Sequence, residues 1–510
     1  MKKNSPPLLQ RRRSGILMPI FSLPSPYGIG TFGKAAYGFV DFLKKAGQSY
    51  WQILPLGPTT FGDSPYQAYS TFAGNPYFID LEMLCEEGYL EKAECDAVDF
   101  GAKADDIAYG NLYHGRRELM KKVFARFIEK IPSDFNGFCR KNAFWLHDYA
   151  LFMALKDENQ GASFDRWPDD IRLRKRAALK AAEVRLNQDI LLWKMQQYFF
   201  FKQWTALKKY ANDSGIAIIG DLPIYVAYDS ADVWASPKQF LLDEDGKPTH
   251  VAGCPPDAFT ADGQLWGNPL YDWEKMKEDG YAWWCSRMKA ASTLYDVVRL
   301  DHFRGFEAYY TIPAGRKNAR RGKWQKGPGM ALFNTFKEKL GDIPIIAEDL
   351  GFLTEGVYEM LAESGYPGMK VAQFAFGDPD HESEYLPHTY PKNCVAYAGT
   401  HDNETILGWL ENADAITAKQ ATAYFRLTEK EGAAWGMIRS LMACSANTVI
   451  FQMQDFIGLG NEARINEPST LGANWRWRIH ADCINDWLAG LILKSTKLYY
   501  RTPPAKKSKK

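Results

Sequence analysis

The spacing of short apolar runs is the sequence feature that most restricts how this chain of 510 residues can fold. Each run has the length and the branched apolar residues of a buried strand, and segments with helical apolar periodicity separate most of the runs. Eight strands are predicted in this way, at 16–20, 51–56, 216–226, 297–301, 343–348, 369–374, 394–397 and 448–453. Eight parallel strands joined by crossover helices close into a (β/α)8 TIM barrel, so the predicted fold class is α/β.

The chain is about twice as long as such a barrel needs, which predicts large insertions. Between the second and third predicted strands, the apolar spacing is that of long helices near 115–130, 143–156 and 174–211. We expect a mainly helical subdomain inserted at about 61–210, within a single catalytic domain that spans 1–500. The basic tail at 503–510 is expected to be disordered.

The charge balance and the cysteine content argue against several classes of protein. Lys and Arg number 62 and Asp and Glu number 61, so no overall field favours nucleic acid or an anionic membrane. No secretory signal or membrane-spanning segment is recognisable. The eight cysteines include no CxxC pair and have no framework spacing, which is typical of reduced thiols. We expect a cytoplasmic protein with no nucleic-acid or membrane partner.

Acidic side chains stand at the ends of four predicted strands. They are Asp221, Asp301, Glu348 with its neighbour Asp349, and Asp402. A TIM barrel places its active site at the carboxyl ends of its strands, so these side chains are expected on one rim. Like charges placed close together destabilise a fold, so these acids are more readily explained by a function than by a contribution to stability.

Two basic residues accompany these acids, Arg299 and His401. Arg299 and Asp301 are two residues apart in a strand, so their side chains share one face, and the guanidinium is expected to hold Asp301 ionised. A structural ion pair at a strand end is the alternative explanation. Glu348 follows an apolar run and has acidic neighbours, both of which should raise its pKa and make it the better proton donor.

Two reactions fit such a rim. Glycosyl transfer uses two carboxyl groups, one ionised and one protonated, on either side of a sugar acetal. A divalent metal could also be held by several carboxylates, although Arg299 already supplies a competing positive charge. The separation of the two carboxyl groups, which distinguishes retention from inversion, does not follow from the sequence.

The segment 251–271 lies between the third and fourth predicted strands. Its Gly and Pro residues disfavour regular structure, while Phe259, Trp266 and Tyr271 are costly to leave in water. We therefore predict a lid over the rim. A surface loop pinned by its aromatic residues is the alternative. The basic segment 316–326 is expected to be a solvated loop near the acceptor side.

From about residue 15 to residue 478 the sequence resembles the 4-α-glucanotransferases, called amylomaltases or disproportionating enzymes, of the α-amylase clan. The motifs that carry the resemblance are Asp63-Ser-Pro-Tyr-Gln, Ala73-Gly-Asn-Pro-Tyr, Gly220-Asp-Leu-Pro-Ile-Tyr-Val-Ala, Val251-Ala-Gly-Cys-Pro-Pro-Asp, Trp266-Gly-Asn-Pro-Leu-Tyr, Arg299-Leu-Asp-His-Phe-Arg-Gly, Ala347-Glu-Asp-Leu-Gly, Gly399-Thr-His-Asp-Asn and Asn474-Trp-Arg-Trp-Arg. Each motif alone is weak, but all of them in this order are specific.

The resemblance implies a role for each candidate site residue. Asp301 would be the nucleophile that forms a glucosyl ester, Glu348 the general acid and base, and Asp402 a third carboxylate that stabilises the oxocarbenium-like state. The resemblance also implies sugar-binding roles for Arg299, His401, Asp221, Tyr66, Ser64, Gln264, Trp266 and Asn466. It implies no metal, no cofactor and no C-terminal β-sandwich, and it identifies 251–271 with the family's lid.

The predicted reaction is disproportionation of α-1,4-glucans such as maltooligosaccharides, starch or glycogen. A hydrolase of the same clan is the nearest alternative. A catalytically silent glucan-binding protein and a metal-dependent barrel lyase or aldolase are alternatives of other classes. The sequence alone does not indicate the oligomeric state.

Overall fold

The computed structural model describes residues 8–256, 261–378, 380 and 382–503, so most of the predicted tail lies outside the described residues. Its strands are β1 (Arg13–Leu17), β2 (Tyr50–Gln52), β3 (Ala217–Leu222), β4 (His250–Cys254), β5 (Gln264–Pro269), β6 (Val297–Leu300), β7 (Ala308–Pro313), β8 (Lys323–Lys326), β9 (Ile345–Ala347), β10 (Gly368–Val371), β11 (Cys394–Tyr397) and β12 (Thr448–Gln452).

Eight of these strands form one parallel sheet in the order β10-β11-β12-β1-β2-β3-β6-β9. The amide of Ala347 donates to the carbonyl of Pro367 at 3.0 Å, which joins the two ends of the sheet into a barrel. All eight coincide with the strands predicted from apolar runs. Their residues are almost wholly buried, because helices cover the outside and side chains fill the inside. The predicted (β/α)8 barrel is confirmed.

The α-helices are α1 (Lys34–Lys45), α2 (Leu81–Glu86), α3 (Lys92–Asp96), α4 (Tyr109–Glu129), α5 (Phe135–Lys141), α6 (Leu146–Glu158), α7 (Asp169–Arg172), α8 (Arg176–Arg185), α9 (Asn187–Asp213), α10 (Ala231–Ala235), α11 (Trp273–Glu278), α12 (Ala282–Leu294), α13 (Met330–Leu340), α14 (Glu355–Ser364), α15 (Ile406–Asn412), α16 (Ala415–Phe425), α17 (Ala433–Ala443), α18 (Met453–Ile457) and α19 (Asp486–Leu498). Among the described residues, no helix is both long enough and apolar enough to cross a membrane.

Helices α2 to α9 all lie between β2 and β3 in the chain, as the helical periodicity there predicts. The longest of them, α9, packs on the barrel through its buried apolar face. Trp204 of α9 lies 5.1 Å from the ring of Phe32, and its indole N–H donates to the carbonyl of Leu294 at 3.2 Å. The boundaries of a separate inserted subdomain at 61–210 stay a prediction.

The segment predicted to be an irregular lid contains regular structure instead. Strands β5, β4, β7 and β8 form an antiparallel sheet in that order, so 250–254 and 264–269 are both strands. The basic segment predicted to be a solvated loop ends in β8, which is the fully exposed edge of this sheet. The Gly and Pro residues are typical of a loop, but Gly253 lies within β4 and Gly267 and Pro269 lie within β5, and β4 pairs with β7 about 60 residues further along the chain. Phe259 lies outside the described residues.

The register of the barrel strands brings the acidic strand ends together. Asp221 of β3 pairs with Arg299 of β6, and Leu300 of β6 pairs with Ala347 of β9. Asp301 and Glu348 are the next residues of their two strands and therefore occupy equivalent positions on neighbouring strands. Parallel strands lie about 4.8 Å apart, so the two backbones are close at this rim.

Candidate active site

The Arg299 guanidinium connects two carboxylates at the centre of the rim. Its Nη1 atom donates to both oxygens of Asp221, at 2.8 and 2.7 Å, and to Oδ1 of Asp301 at 3.1 Å. The Asp221 side chain is fully buried and that of Arg299 is 4% exposed, whereas Asp301 is 27% exposed. Asp301 is therefore the member of this group that faces the open pocket.

A chain of hydrogen bonds extends from Asp221 to Asp402. The Tyr66 hydroxyl donates to Oδ2 of Asp221 at 2.7 Å and lies 2.8 Å from Nε2 of His401. The same imidazole nitrogen is 3.3 Å from Oδ2 of Asp402. Asn466 donates from Nδ2 to the other carboxylate oxygen of Asp402, at 2.6 Å. Both oxygens of Asp402 thus have a partner, and its orientation is fixed.

Backbone amides orient Glu348 from the side of the neighbouring strand. The amide of His302 donates to Oε2 at 2.5 Å and that of Leu350 donates to Oε1 at 3.2 Å. His302 has a left-handed backbone, with φ of 50° and ψ of 51°, which is uncommon for a residue other than glycine. This conformation turns the chain directly after Asp301 and directs the His302 amide towards Glu348.

The carboxyl groups of the site differ in their pKa values. Burial raises the pKa of Glu348 to about 8, because desolvation and the charge of Asp301 outweigh the attraction of Arg299. Burial likewise raises the pKa of Asp301 to about 6, with Arg299 acting in the opposite direction. Burial also acts to raise the pKa of Asp402, but His401 and Asn466 outweigh it and lower the value to about 2.

These values agree in part with the sequence-based expectation. The pKa of Glu348 is raised for the two reasons given, an apolar environment and an acidic neighbour. Arg299 contacts Asp301 as expected, but burial is the larger effect, so Asp301 is not held far below its usual pKa. At neutral pH this order of pKa values favours an ionised Asp301 and a protonated Glu348.

Asp349 lies beside the pocket and not in it, unlike the other acids at the strand ends. Its Oδ1 atom accepts the amide of Met369 at 2.6 Å, and the residue is 5% exposed. This contact ties the end of β9 to β10. The expectation that all the acids crowd into one site is therefore wrong for Asp349, which supports the barrel wall.

Three further predicted residues lie around this centre. Trp266 packs edge-on against the ring of His302, with centroids 4.9 Å apart, and its indole N–H donates to Oε1 of Gln264 at 3.0 Å. Both residues lie on β5 and so belong to the antiparallel sheet. Ser64 is more peripheral, since its hydroxyl accepts the amide of Tyr66 at 3.3 Å and the structure gives it no contact with the carboxylates.

The structure adds residues that the sequence did not single out for the site. The Trp475 ring lies 5.8 Å from that of Tyr66 and 6.1 Å from that of His401, so it walls the pocket beside Asp402. Arg464 donates to the backbone carbonyl of Asp402 at 3.0 Å. Trp475 belongs to the Asn474-Trp-Arg-Trp-Arg motif, which was the only sequence feature that pointed to it. Because this motif is far along the chain from the acidic strand ends, its place beside Asp402 did not follow from the sequence.

Among the residues that the structure describes, no three His, Cys, Asp or Glu side chains are placed together as metal ligands would be. The site instead contains one buried guanidinium, the carboxyl groups of Asp221, Asp301, Glu348 and Asp402, and aromatic walls. Such an arrangement can present one charged and one protonated carboxyl group to a single uncharged substrate.

Comparisons with known proteins agree with this geometry. A family model described as 4-alpha-glucanotransferase matches residues 18–484. A 4-alpha-glucanotransferase of Clostridium butyricum is 52% identical over 486 residues, which cover 95% of this chain and 100% of the relative. One of Streptococcus pneumoniae is 49% identical, covering 97% of this chain and 98% of the relative.

Among solved structures, the amylomaltase from Streptococcus agalactiae in complex with acarbose matches with a TM-score of 0.95. It is 42% identical, and the match covers 97% of this chain and 100% of that chain. The family model, the relatives and the solved structure all cover most of the chain. This chain belongs to the family of 4-alpha-glucanotransferases.

Proposed function

We propose that this protein transfers segments of α-1,4-glucan from a donor to the 4-hydroxyl of an acceptor glucan or glucose, with retention of configuration. The observation that carries the proposal is the pair of carboxyl groups at equivalent positions of neighbouring strands, where Arg299 contacts Asp301 and burial raises the pKa of Glu348 to about 8. Retaining enzymes use carboxyl groups about 5 to 5.5 Å apart, a spacing that suits side chains from adjacent strands.

In the first step the Asp301 carboxylate attacks C1 of the donor sugar. The bond from C1 to the bridging oxygen breaks, and Glu348 gives its proton to that oxygen as the leaving chain departs. The product is a β-glucosyl ester on Asp301. Because Glu348 then carries a charge, the amides of His302 and Leu350 stabilise it more strongly than before.

In the second step the 4-hydroxyl of an acceptor gives its proton to Glu348 and attacks C1 of the ester. The new α-linkage forms, the ester bond breaks, and both carboxyl groups return to their starting states. Water can take the place of the acceptor, so transfer requires a bound sugar to reach the ester first. The aromatic side chains around the pocket, Trp266 and Trp475, support such exclusion of water.

The remaining polar residues are proposed to hold the sugar beside the scissile bond. Asp402, ionised at all but acidic pH, would stabilise the positive charge that develops at C1 and bind sugar hydroxyls. Asp221, Arg299, His401, Tyr66 and Asn466 would fix its geometry through the hydrogen bonds described above. Gln264, Trp266 and Ser64 would line the groove further out.

The relatives are named as transferases, which favours transfer over the hydrolase alternative. For substrate we propose maltooligosaccharides and the longer glucans of starch or glycogen. Acarbose, bound in the related amylomaltase structure, is consistent with an oligosaccharide groove. A cytoplasmic location stays a prediction.

Size separation of the products formed from maltotriose tests the transfer. We expect both longer and shorter maltooligosaccharides, because each transfer lengthens one chain as it shortens another. Products that are only shorter than maltotriose would identify a hydrolase. Asp301→Asn should lower kcat/KM by about four orders of magnitude or more, and an unchanged rate would refute the nucleophile assignment.

A donor whose leaving group needs no proton separates the two carboxyl roles. With α-maltosyl fluoride, Glu348→Gln should retain much of the fluoride release in the first turnover, because fluoride departs without protonation. Asp301→Asn should abolish this release. If Glu348→Gln lost the first-turnover fluoride release as completely as Asp301→Asn, Glu348 would not be the general acid.

A further inference from the structure

We propose that Trp324 and Phe352 form an acceptor platform, a pair of exposed aromatic side chains that binds glucan units beyond the first acceptor position. This inference rests on the proposed glucan transfer and extends it to the acceptor side. Phe352 is 83% exposed and Trp324 is 40% exposed. Exposed aromatic residues close to a pocket mark a surface that a ligand can cover.

The antiparallel sheet extends from the catalytic pocket to Trp324. At one edge, β5 carries Trp266, whose ring touches His302, the residue after Asp301. At the other edge, β8 carries Trp324, which pairs with Tyr310 of β7. The rings of Trp324 and Tyr310 lie 5.3 Å apart in an edge-to-face arrangement. Two strands, β4 and β7, separate Trp324 from the strand beside the pocket. The sheet thus holds Trp324 at a fixed distance from the pocket.

Arg304 connects Trp324 to the loop that follows Glu348. Its guanidinium carbon lies 3.9 Å from the centroid of the Trp324 ring, and its Nη1 atom donates to the carbonyl of Phe352. Arg304 itself is 8% exposed. One buried cation near the turn after Asp301 therefore contacts both the Trp324 ring and the backbone at Phe352.

The platform lies on the side of the general acid. Phe352 is four residues beyond Glu348 in the loop between β9 and α14. A general acid stands beside the oxygen of the leaving group, and the acceptor later occupies the same side. Sugars that extend from the first acceptor position in this direction meet Phe352 and Trp324.

Aromatic rings suit a neutral glucan because the apolar face of a pyranose can stack on them. Arg304 covers one face of the Trp324 ring, and the exposed fraction of the residue leaves area for a sugar. The ring is held before the ligand arrives, so little conformational entropy is lost on binding. Lys323 and Lys326, the charged neighbours on β8, are exposed to solvent.

Acceptor length provides the test. With α-maltosyl fluoride as the donor, glucose fills only the first acceptor position, whereas maltotetraose is long enough to reach the platform. The quantity to measure is the ratio of kcat/KM for maltotetraose to that for glucose. We expect Trp324→Ala to lower this ratio about tenfold, equivalent to about 1.4 kcal/mol. Phe352→Ala should lower it in the same direction, and Trp324→Phe should restore most of it.

Trp487→Ala is the matched control, because Trp487 is 72% exposed on α19 and outside the site. This variant should keep the wild-type ratio. The ratio does not depend on the fraction of active protein, so partial misfolding of a variant does not obscure it. An unchanged ratio in Trp324→Ala, with wild-type protein still forming longer products from maltotriose, would overturn the platform alone. Wild-type protein that forms no longer products would instead overturn the proposed function.

Discussion

Replacing Asp221 by Asn should shift the acidic limb of the pH–activity profile to lower pH. Asp221 and Asp301 share Arg299, and the negative charge of Asp221 raises the pKa of Asp301. Removing that charge favours ionisation of Asp301, both directly and because Arg299 then has a single carboxylate partner. A nucleophile with a lower pKa stays ionised further into the acidic range, so activity should persist there.

The magnitude follows from the geometry at Arg299. Its Nη1 atom is 2.7 Å from Oδ2 of Asp221 and 3.1 Å from Oδ1 of Asp301, so these two oxygens are at most about 6 Å apart. Two unit charges at about 6 Å repel by about 3 kcal/mol at an effective dielectric constant of about 20, and by about 0.7 kcal/mol in water. Since one pH unit corresponds to about 1.4 kcal/mol, the limb should move by between about 0.5 and 2 pH units.

The assay is the kcat/KM for maltotriose between about pH 4 and pH 9, which reports ionisations of the free enzyme. The wild-type profile should be bell-shaped, with limbs near the pKa values of about 6 and about 8 of the Asp301 and Glu348 pair. Asp221→Asn is also expected to lower the maximum, because Asp221 contacts the proposed sugar-binding residues. Asp221→Glu keeps the charge and is the matched control, so its acidic limb should stay close to that of wild type. An acidic limb that stays in place in Asp221→Asn, or moves to higher pH, would refute the electrostatic reasoning.

Two further predictions concern the third carboxylate and the packing of α9. Asn466→Ala removes the N–H that donates to Asp402 at 2.6 Å, so the pKa of Asp402 should rise. The value of kcat/KM should fall about tenfold at neutral pH and more steeply below about pH 5. A loss of kcat/KM that is the same at every pH would contradict this reasoning. In Gly74→Ala the new Cβ would lie 2.1 Å from the Phe200 ring, so the free energy of unfolding in urea should fall by about 1 to 3 kcal/mol. Gly110→Ala is the control, because its new Cβ would have no neighbour within 4 Å, and it should leave stability unchanged or raise it slightly. Equal stabilities of the two variants would show that the contact at Gly74 relaxes freely.

Much of the fold followed from local sequence properties. The barrel strands are short buried runs, and their apolar character is visible without knowledge of their neighbours. The antiparallel sheet was missed for the opposite reason. β4 pairs with β7, which lies about 60 residues further along the chain, and the Gly and Pro residues in and around β4 and β5 are typical of a loop. Pairing between distant segments leaves little signal in either segment alone.

In the candidate site too, some residues could be predicted from local sequence and others depend on contacts between distant segments. Asp301 and Glu348 could be identified because each ends a strand, and the carboxyl ends of barrel strands meet on one rim. The partner of Asp402 could not be identified in this way, since Asn466 lies 64 residues further along the chain. Asp349 faces away from the side of the strand that Glu348 occupies, because side chains alternate along a strand and Asp349 is the next residue, and its Oδ1 atom accepts the amide of Met369.

The sequence by itself determined the closed barrel and the pair of carboxyl groups at its rim, because apolar periodicity and position at a strand end are properties of neighbouring residues. Only the tertiary structure decided how far the pKa values of that pair are raised. Arg299 favours a charged Asp301, and the sequence shows this cation directly. The depth of burial, which raises both pKa values against that attraction, depends on how the surrounding segments fold over the rim.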